Sequence, residues 1–501
     1  MFRKILVANR GEIARRIFRA CRELGVRSVA IYSEVDRTAP WARLADESYQ
    51  LDGVTARETY LNQEAIFAAA AAAGADAIHP GYGFLSENPE FAAACEQRGI
   101  HFIGPSPEAM LALGSKAMAR EIAGRAGAPV IPGVDGAGVH DEELQEAATV
   151  IGYPVLIKAS AGGGGKGMRV VGQAEEFRDA LHQARNESIS SFGSDHILVE
   201  KYFTEVRHIE VQILGDQHGN IVHLFERECS VQRRHQKIIE ETPSPIVTPE
   251  LREAICGAAL RLAAAVGYVS AGTVEFIVTP QREFYFLEMN TRLQVEHPIT
   301  EAVTGIDLAS WQIRLAAGEP LAFTQAELQQ QGHALECRIY AEDPAHHFLP
   351  STGEITFYRR PAGPGVRVDD GIETGTQVSP YYDPMLGKVI TWGDDRAEAI
   401  RKMRLALQDT VVLGVTTNIP YLLDILDHPA FVAGEITTNF LDEHMMPWEP
   451  DADVSNSTWL AIAALEALSG RVPATNRPTG DGSLAETDPW ANSERWRNVK
   501  P

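Results

Sequence analysis

The 501-residue chain lacks any apolar run long enough to cross a bilayer, any cysteine pair and any excess of positive charge. Its least polar stretch, the alanine-rich Ala65–Ala75, is too short for a membrane span and reads as a helix. Near the amino terminus the short apolar run Ile5–Ala8 is cut off by Asn9-Arg10-Gly11-Glu12, so no signal peptide is expected. The five cysteines (Cys21, Cys95, Cys229, Cys256, Cys337) are scattered without a Cys-x-x-Cys pair. That argues against a zinc site or a disulfide framework and fits a reducing, cytoplasmic location. The net charge of −23 disfavours nucleic acid or an anionic membrane as a partner. A dinucleotide fingerprint is missing too: Asn9–Glu12 follows the first strand without Gly-x-Gly-x-x-Gly, which excludes a nicotinamide site there.

What is present, over residues 1–113, is an alternation of strands and helices. Lys4–Ala8 and Ser28–Tyr32 flank a helical pattern at Glu12–Leu24. Helix Glu64–Ala73, strand Ala75–His79, helix Asn88–Arg98 and strand His101–Gly104 follow. This rhythm predicts a parallel, doubly wound sheet. The loop His79-Pro80-Gly81-Tyr82-Gly83-Phe84 sits at a strand's carboxyl end, where such sheets place ligands, although the same residues also suit an ordinary turn. Gly133–Asp141 reads as a polar connector at a domain edge. Past it, the strand Pro154–Ala159 carries Lys158, and Gly162–Gly165, Lys166 and Gly167 lead into the strand Met168–Val171. No helix and no Lys-Ser/Thr pair follow, so this is not a Walker loop. Four consecutive glycines still let backbone amides close on phosphate oxygens without Cβ clashes, with Lys158 and Lys166 adding charge on either side.

Farther on, Ile197–Tyr202 predicts a strand, and His208–Gly215 with Ile221–Phe225 predicts a hairpin. The basic run within Gln232–Lys237 is a candidate anion pocket in so acidic a chain, though such runs are more often solvated. Pro249–Val266 reads as an amphipathic helix. Glu275 is a lone carboxylate in the apolar strand Gly272–Val278, and burial of that kind is costly unless the group is paired or metal-bound. Glu288 lies on the next strand, so the two glutamates can face each other and, with Asn290, hold Mg²⁺.

In Leu287–Pro298, the residues Glu288, Asn290, Arg292, Gln294 and Glu296 occupy alternate positions. An extended chain would put all five on one face, and Leu287, Met289, Leu293 and Val295 on the other. Carboxylates and an amide oxygen suit a hard cation, while an arginine forks onto an oxyanion. Alternation by itself fits a solvated strand face equally well. Residues 331–445 form a third unit, with Glu336, Arg338 and Tyr340 alternating along one strand. Beyond Met446, Thr458–Leu468 reads as a short helix and Pro473–Asp488 as disordered. Trp490 and Trp496 suit either docking on a partner or packing on the parent domain.

From Met1 to about Met446 the chain resembles biotin carboxylase, the ATP-grasp component of biotin-dependent carboxylases. The resemblance is carried by Ala8–Ala14, His79–Asn88, Gly162–Val171, Gln232–Lys237 and Glu288–His297, in the family's order. It implies an α/β fold, α+β in parts, in three pieces. These are a Rossmann-like domain at 1–113, an ATP-grasp domain at 114–330 with a mobile lid near 130–203, and a carboxyl-terminal domain at 331–446. A short tail, 447–501, follows. The resemblance assigns ATP to Lys116, Lys158, Gly164, Gly165, Glu200, Lys201, Tyr202, Phe203, His208, Gln232 and His235, and to Glu275 and Glu288. The last two, with Asn290, resemble the ligands of Mg²⁺ or Mn²⁺. Lys237, Arg292, Gln294, Val295, Arg338 and Tyr82 resemble the bicarbonate and biotin pocket, with Glu296 the base. Phe203 stands where some relatives have leucine, a change of packing at the adenine.

A homodimer is implied as well. No Met-Lys-Met-type biotinylation sequence is present, so the biotin carboxyl carrier protein and the carboxyltransferase are expected on separate chains. The tail resembles the segment that follows this domain in acyl-CoA carboxylase α-chains, which points to acetyl- or propionyl-CoA carboxylase ahead of a two-subunit pyruvate carboxylase. Another ATP-grasp ligase would have no reason to carry both Arg292–His297 and Arg338. A regulatory chain would have lost some of Lys116, Lys237, Glu275, Glu288 and Arg292, and all are present.

Overall fold

A computed structural model describes residues 1–159 and 168–450; the tetraglycine segment with Gly164 and Gly165, and the tail with Trp490 and Trp496, lie outside the described residues. Strands β1 (Lys4–Val7), β2 (Arg27–Tyr32), β3 (Glu47–Gln50), β4 (Ala77–His79) and β5 (His101–Phe102) form a parallel sheet in the order β3-β2-β1-β4-β5. The apolar runs of β1, β2 and β4 follow from burial on both faces, whereas the edge strand β3 (Glu-Ser-Tyr-Gln) is partly exposed. Ile13, Ile17 and Phe18 of helix α1 (Gly11–Glu23) join one core, and Ile66, Phe67 and Ala70 of the helix Gln63–Ala73 join the other. Beyond the carboxyl ends of β1 and β4 the Asn9 amide donates to the carbonyls of Pro80 and Tyr82, both at 2.7 Å. Gly81 has φ +66°, and a Cβ there would lie 2.8 Å from Asn9 Nδ2, so this clasp requires glycine.

Strands β6 (Gly133–Asp135), β7 (Val155–Ala159), β8 (Arg169–Val171) and β9 (Ile197–Lys201) make a four-stranded antiparallel sheet, ordered β6-β9-β7-β8. Leu144, Ala148, Phe177 and Leu181, from two helices, pack on it. The segment expected to be a polar connector thus contributes an edge strand. Gly133 permits it, since a Cβ there would stand 2.6 Å from the Val199 carbonyl.

The third sheet has eight antiparallel strands. They are β10 (Arg207–Gly215), β11 (Ile221–Arg233), β12 (Gln236–Thr242), β13 (Ser270–Val278), β14 (Phe284–Asn290), β15 (His333–Tyr340) and the strands Val366–Asp370 and Met385–Gly393. Their order is β14-β13-β10-β11-β12-β15, then Met385–Gly393, then Val366–Asp370. Ile209, Val211, Ile213 and Val274 pack against the helix Pro249–Ala265, which Thr248 caps by accepting from the Leu251 N–H. The sheet passes residue 330 without a break, because β12 pairs with β15, and Met1–Trp448 is one compact unit.

Two expectations change here. Strand β11 does not stop at Phe225 but continues to Arg233, and Glu226, Arg227 and Glu228 are buried rather than solvated. Each has an oppositely charged partner, in Arg252, Glu210 and Arg207 respectively, which is what lets charge enter the interior. Strand β14 ends at Asn290, so Arg292, Gln294 and Glu296 do not continue its face. The Thr291 N–H turns to Glu87 Oε1 at 3.1 Å, and Pro298 opens the helix His297–Thr304. Gln294 and Glu296 are buried, whereas Val295 between them is half-buried. Among the described residues no helix is long and apolar enough to cross a membrane.

Candidate active site

Register places Glu275 of β13 directly opposite Glu288 of β14, and Thr273 opposite Asn290. Glu275 Oε1 accepts from Lys237 Nζ and Asn290 Nδ2, both at 2.9 Å, and from Gln294 Nε2 at 3.2 Å. His208 Nε2 lies 2.8 Å from Glu275 Oε2. Burial alone would raise the Glu275 pKa, but Lys237 and His208 overcome it and hold the carboxyl below its ordinary range. Glu288 goes the other way, raised by burial and then by the Glu275 charge, with Lys116 opposing. Among the described residues no hydrogen bond reaches the Glu288 carboxylate. Two facing carboxylates, one raised by the other, beside the side-chain oxygen of Asn290, are a donor set that fits a divalent cation.

Around this pair stand the residues expected to meet a nucleotide. Lys116 begins the helix Lys116–Arg125, and its ammonium, depressed by burial, feels Glu288, Lys158 and Glu200. Lys158 of β7 is ion-paired with Glu200 of β9. His235 occupies the β11–β12 turn with φ +67°, its pKa lowered by burial and by His208 and Lys116. Gln232 is opposite Lys237 on the same hairpin. Phe203 stacks on Tyr285 with ring centroids 5.2 Å apart. Lys201 is turned away: its ammonium donates to the carbonyls of Gly152 and Tyr153 at 2.8 and 3.1 Å. The Tyr202 N–H donates to the Pro154 carbonyl at 3.0 Å.

Glu296, fully buried, is the second centre. Its Oε1 is 2.7 Å from Lys237 Nζ, and its Oε2 is 3.0 Å from Arg338 Nη2. Burial is the largest influence on its pKa and acts upward, yet Lys237, Arg338 and Arg227 together drive it well below the carboxylate range. Lys237 also reaches Glu210 Oε2 at 2.5 Å, so it links three carboxylates. Arg292 stands apart from Glu296, donating to Glu87 at 2.9 Å, Gln294 Oε1 at 2.9 Å and Asn290 Oδ1 at 3.1 Å. The Val295 carbonyl accepts from Lys388. Tyr82 bonds to Glu12 through its hydroxyl, and its ring centroid is 5.9 Å from Lys388 Nζ.

Four residues of this network escape a reading of the sequence. Glu210 and Arg227 hold each other at 2.5 Å in the sheet interior, Glu87 comes from the first domain, and Glu240 lies 2.5 Å from the Arg338 guanidinium. One signal was available. Opposite the apolar Ile209, Val211 and Ile213 runs a polar row of His208, Glu210 and Gln212, and all six are buried.

The sequence pattern described as "Biotin carboxylase, N-terminal domain" matches residues 1–110, and "Biotin carboxylase C-terminal domain" matches residues 336–443. Between them, residues 115–324 match "Carbamoyl-phosphate synthase L chain, ATP binding domain". A pyruvate carboxylase subunit of Methanothermobacter thermautotrophicus is 52% identical over 89% of this chain and 90% of its own. The chain belongs to the biotin carboxylase family. It is an ATP-grasp ligase with that family's three-domain architecture.

Biotin carboxylase 1 of Bacillus subtilis is 49% identical over 89% of this chain and 99% of its own. The propionyl-CoA carboxylase alpha chain of Ruegeria pomeroyi is 46% identical over 97% of this chain and 74% of its own. The mitochondrial methylcrotonoyl-CoA carboxylase alpha subunit of Mus musculus is 50% identical, and the chain spans 65% of its length. The biotin carboxylase domain dimer of Hydrogenobacter thermophilus 2-oxoglutarate carboxylase, crystallised with MgADP, ADP and bicarbonate, shares 48% identity. It superposes with a TM-score of 0.85 over 89% of this chain and 98% of its own.

Proposed function

We propose that the chain uses MgATP and bicarbonate to carboxylate biotin, with Glu296 as the base and Arg338 as the residue that meets biotin. The observation that carries this reading is the approach of Lys237 and Arg338 to the two oxygens of one buried carboxylate, Glu296, beside the Glu275–Glu288 pair. Bicarbonate is a weak nucleophile and a nucleotide's terminal phosphate repels it, so cations must gather both anions before reaction. In this reading Lys116, Lys158 and the segment of Gly164 and Gly165 take the phosphates. Glu200, Lys201, Tyr202, Phe203, His208, Gln232 and His235 line the rest of the ATP site, Lys201 and Tyr202 through backbone. Glu275, Glu288 and Asn290 hold Mg²⁺ or Mn²⁺, which when bound neutralises phosphate charge.

Arg292, Gln294 and Val295 keep bicarbonate against Lys237, and Tyr82 borders the biotin pocket. Glu296 accepts the bicarbonate proton at a carboxylate oxygen, a bicarbonate oxygen bonds to the terminal phosphorus, and ADP leaves. The resulting carboxyphosphate breaks to CO₂ and phosphate. Phosphate takes the biotin N1′ proton, Arg338 stabilises the enolate, and N1′ bonds to CO₂. The test is phosphate release from MgATP by the purified chain, with and without bicarbonate and free biotin. Release that requires bicarbonate and rises with biotin supports the reading; release indifferent to biotin refutes it.

For the final acceptor we favour an acyl-CoA, with a biotinyl carrier and a carboxyltransferase on separate chains, a homodimeric carboxylase and a cytoplasmic setting. The match to a propionyl-CoA carboxylase alpha chain over 97% of this chain supports the acyl-CoA acceptor, because so long a match runs past Trp448. A two-subunit pyruvate carboxylase is the second reading, favoured by the match over 90% of the length of the Methanothermobacter pyruvate carboxylase chain. Carboxyl transfer by the reconstituted complex to acetyl-CoA or propionyl-CoA against pyruvate decides between them.

A further inference from the structure

Behind Arg338 the third sheet carries two carboxyls for which the proposed reaction has no use. Glu240 on β12 and Glu336 on β15 are direct cross-strand partners, so their Cβ atoms stand about 5 Å apart on one face. Both are fully buried. Arg338, two residues along β15, shares that face, and its guanidinium lies 2.5 Å from Glu240 Oε1 and 3.0 Å from Glu296 Oε2. Among the described residues, Glu240 Oε2 and both oxygens of Glu336 have no hydrogen-bond partner. Lys388, on the next strand, does not supply one: it donates to the Val295 carbonyl and pairs with Glu12 Oε1 at 3.1 Å. Two anions with three unpartnered oxygens would be severely penalised in this interior. A single proton resolves the conflict, because a protonated carboxyl gains a donor that its neighbour can accept.

We propose that Glu240 and Glu336 form a carboxyl pair sharing one proton, in which Glu336 is the neutral donor and Glu240 the anion that positions Arg338 for biotin. The inference rests on the role proposed above for Arg338. The groups acting on the pair are Lys237 on β12, Cys229 on β11, Cys337 and Arg338 on β15, Lys388 on Met385–Gly393, and Glu296 ahead of the helix His297–Thr304. Burial dominates at Glu336 and lifts its pKa well above the carboxylate range despite Lys388. At Glu240, burial lifts the pKa to about 7 against the pull of Arg338. A second proton therefore enters the pair near neutrality, and as pH falls through that value Arg338 loses its anionic support.

The test uses the full chain and three variants. Infrared difference spectra at about pH 8 should show the carbonyl stretch of a buried protonated carboxylic acid, lost in Glu336→Gln. This readout reports the pair whatever Arg338 does. Biotin-dependent phosphate release is then followed from about pH 6 to about pH 9. Glu240→Gln should lower it about tenfold, the cost of a lost charge-assisted hydrogen bond, and flatten the acid limb. Glu336→Ala strips Glu240 of its donor and should move that limb to higher pH. Glu336→Gln, an amide that donates as the neutral acid does, should restore it. Absence of the protonated band in the wild-type chain overturns the pair. So does loss of fold in Glu336→Gln, since an anionic Glu336 would be needed to balance Lys388. A band accompanied by wild-type rate and profile in Glu240→Gln overturns the positioning of Arg338. Should Glu336→Ala fail to fold, the glutamine variants and the wild-type spectrum decide.

Discussion

Glu296→Gln separates the chemistry of the candidate base from its part in the fold. The side chain is fully buried, with Lys237 Nζ at 2.7 Å from one oxygen and Arg338 Nη2 at 3.0 Å from the other. Glutamine keeps the shape but offers one acceptor oxygen and one NH₂, so one of the two cations must face a donor. Stranding a buried cation costs about 3–5 kcal/mol. Here neither is stranded, because Lys237 keeps Glu210 and Glu275, and Arg338 keeps Glu240. The loss of stability should therefore be about 1.5–3 kcal/mol, the scale of a hydrogen bond to a charged group. Activity should fall far more, by about 10²–10⁴, the usual contribution of a positioned general base.

The assays are urea unfolding and bicarbonate-dependent phosphate release at saturating MgATP. The pH dependence follows from sign. Burial raises the Glu296 pKa, but Lys237, Arg338 and Arg227 win and depress it. A depressed carboxylate contributes stability that is complete above its unfolded value of about 4.3 and is lost as pH falls through the folded value. The stability gap between wild type and variant should thus be constant from about pH 6 upward and narrow only on acidification. A variant that keeps more than about a tenth of the wild-type rate would refute the assignment of Glu296 as base.

Other perturbations test other parts of the network. Glu288→Gln removes one of two facing carboxylates, and the Mg²⁺ concentration for half-maximal activity should rise at least the roughly tenfold that even an outer-shell loss causes. Arg227→Met takes the guanidinium from Glu210, Gln212, Thr273 and Thr300 in a fully buried setting. It should cost about 3 kcal/mol in chemical unfolding, the low end for breaking a buried pair, because Glu210 retains Lys237. Gly81→Ala forces a Cβ to 2.8 Å from Asn9 Nδ2 at φ +66°, and should cost at least the ~1–2 kcal/mol of a left-handed residue, read as a lowered midpoint in urea.

Much of this site is legible in the sequence because its parts obey local periodicities. The parallel sheet follows from alternating apolar strands and helices. The Glu275–Glu288 pairing follows from two strands joined by a short turn, which the register confirms. The rest fails where local pattern and tertiary path part company. Alternation from Glu288 to Glu296 suggests one extended face, yet the strand ends at Asn290. The later side chains reach the site only because Glu87, in a turn of the first domain, takes the Thr291 N–H and Arg292. No local pattern holds a partner some two hundred positions away. The charged run beginning at Glu226 misleads for the opposite reason. In a sequence, charge reads as solvent, whereas here each buried charge meets its counterpart on a neighbouring strand or helix. Glu210, Glu240 and Glu336 share that origin: each is a buried carboxylate on a strand of the third sheet. A carboxylate there is either an error of folding or part of a site. Opposing cations make it a site at Glu210 and Glu240, through Arg227 and Arg338. Among the described residues Glu336 has no bonded cation to do the same, which is why a proton is the partner its position requires.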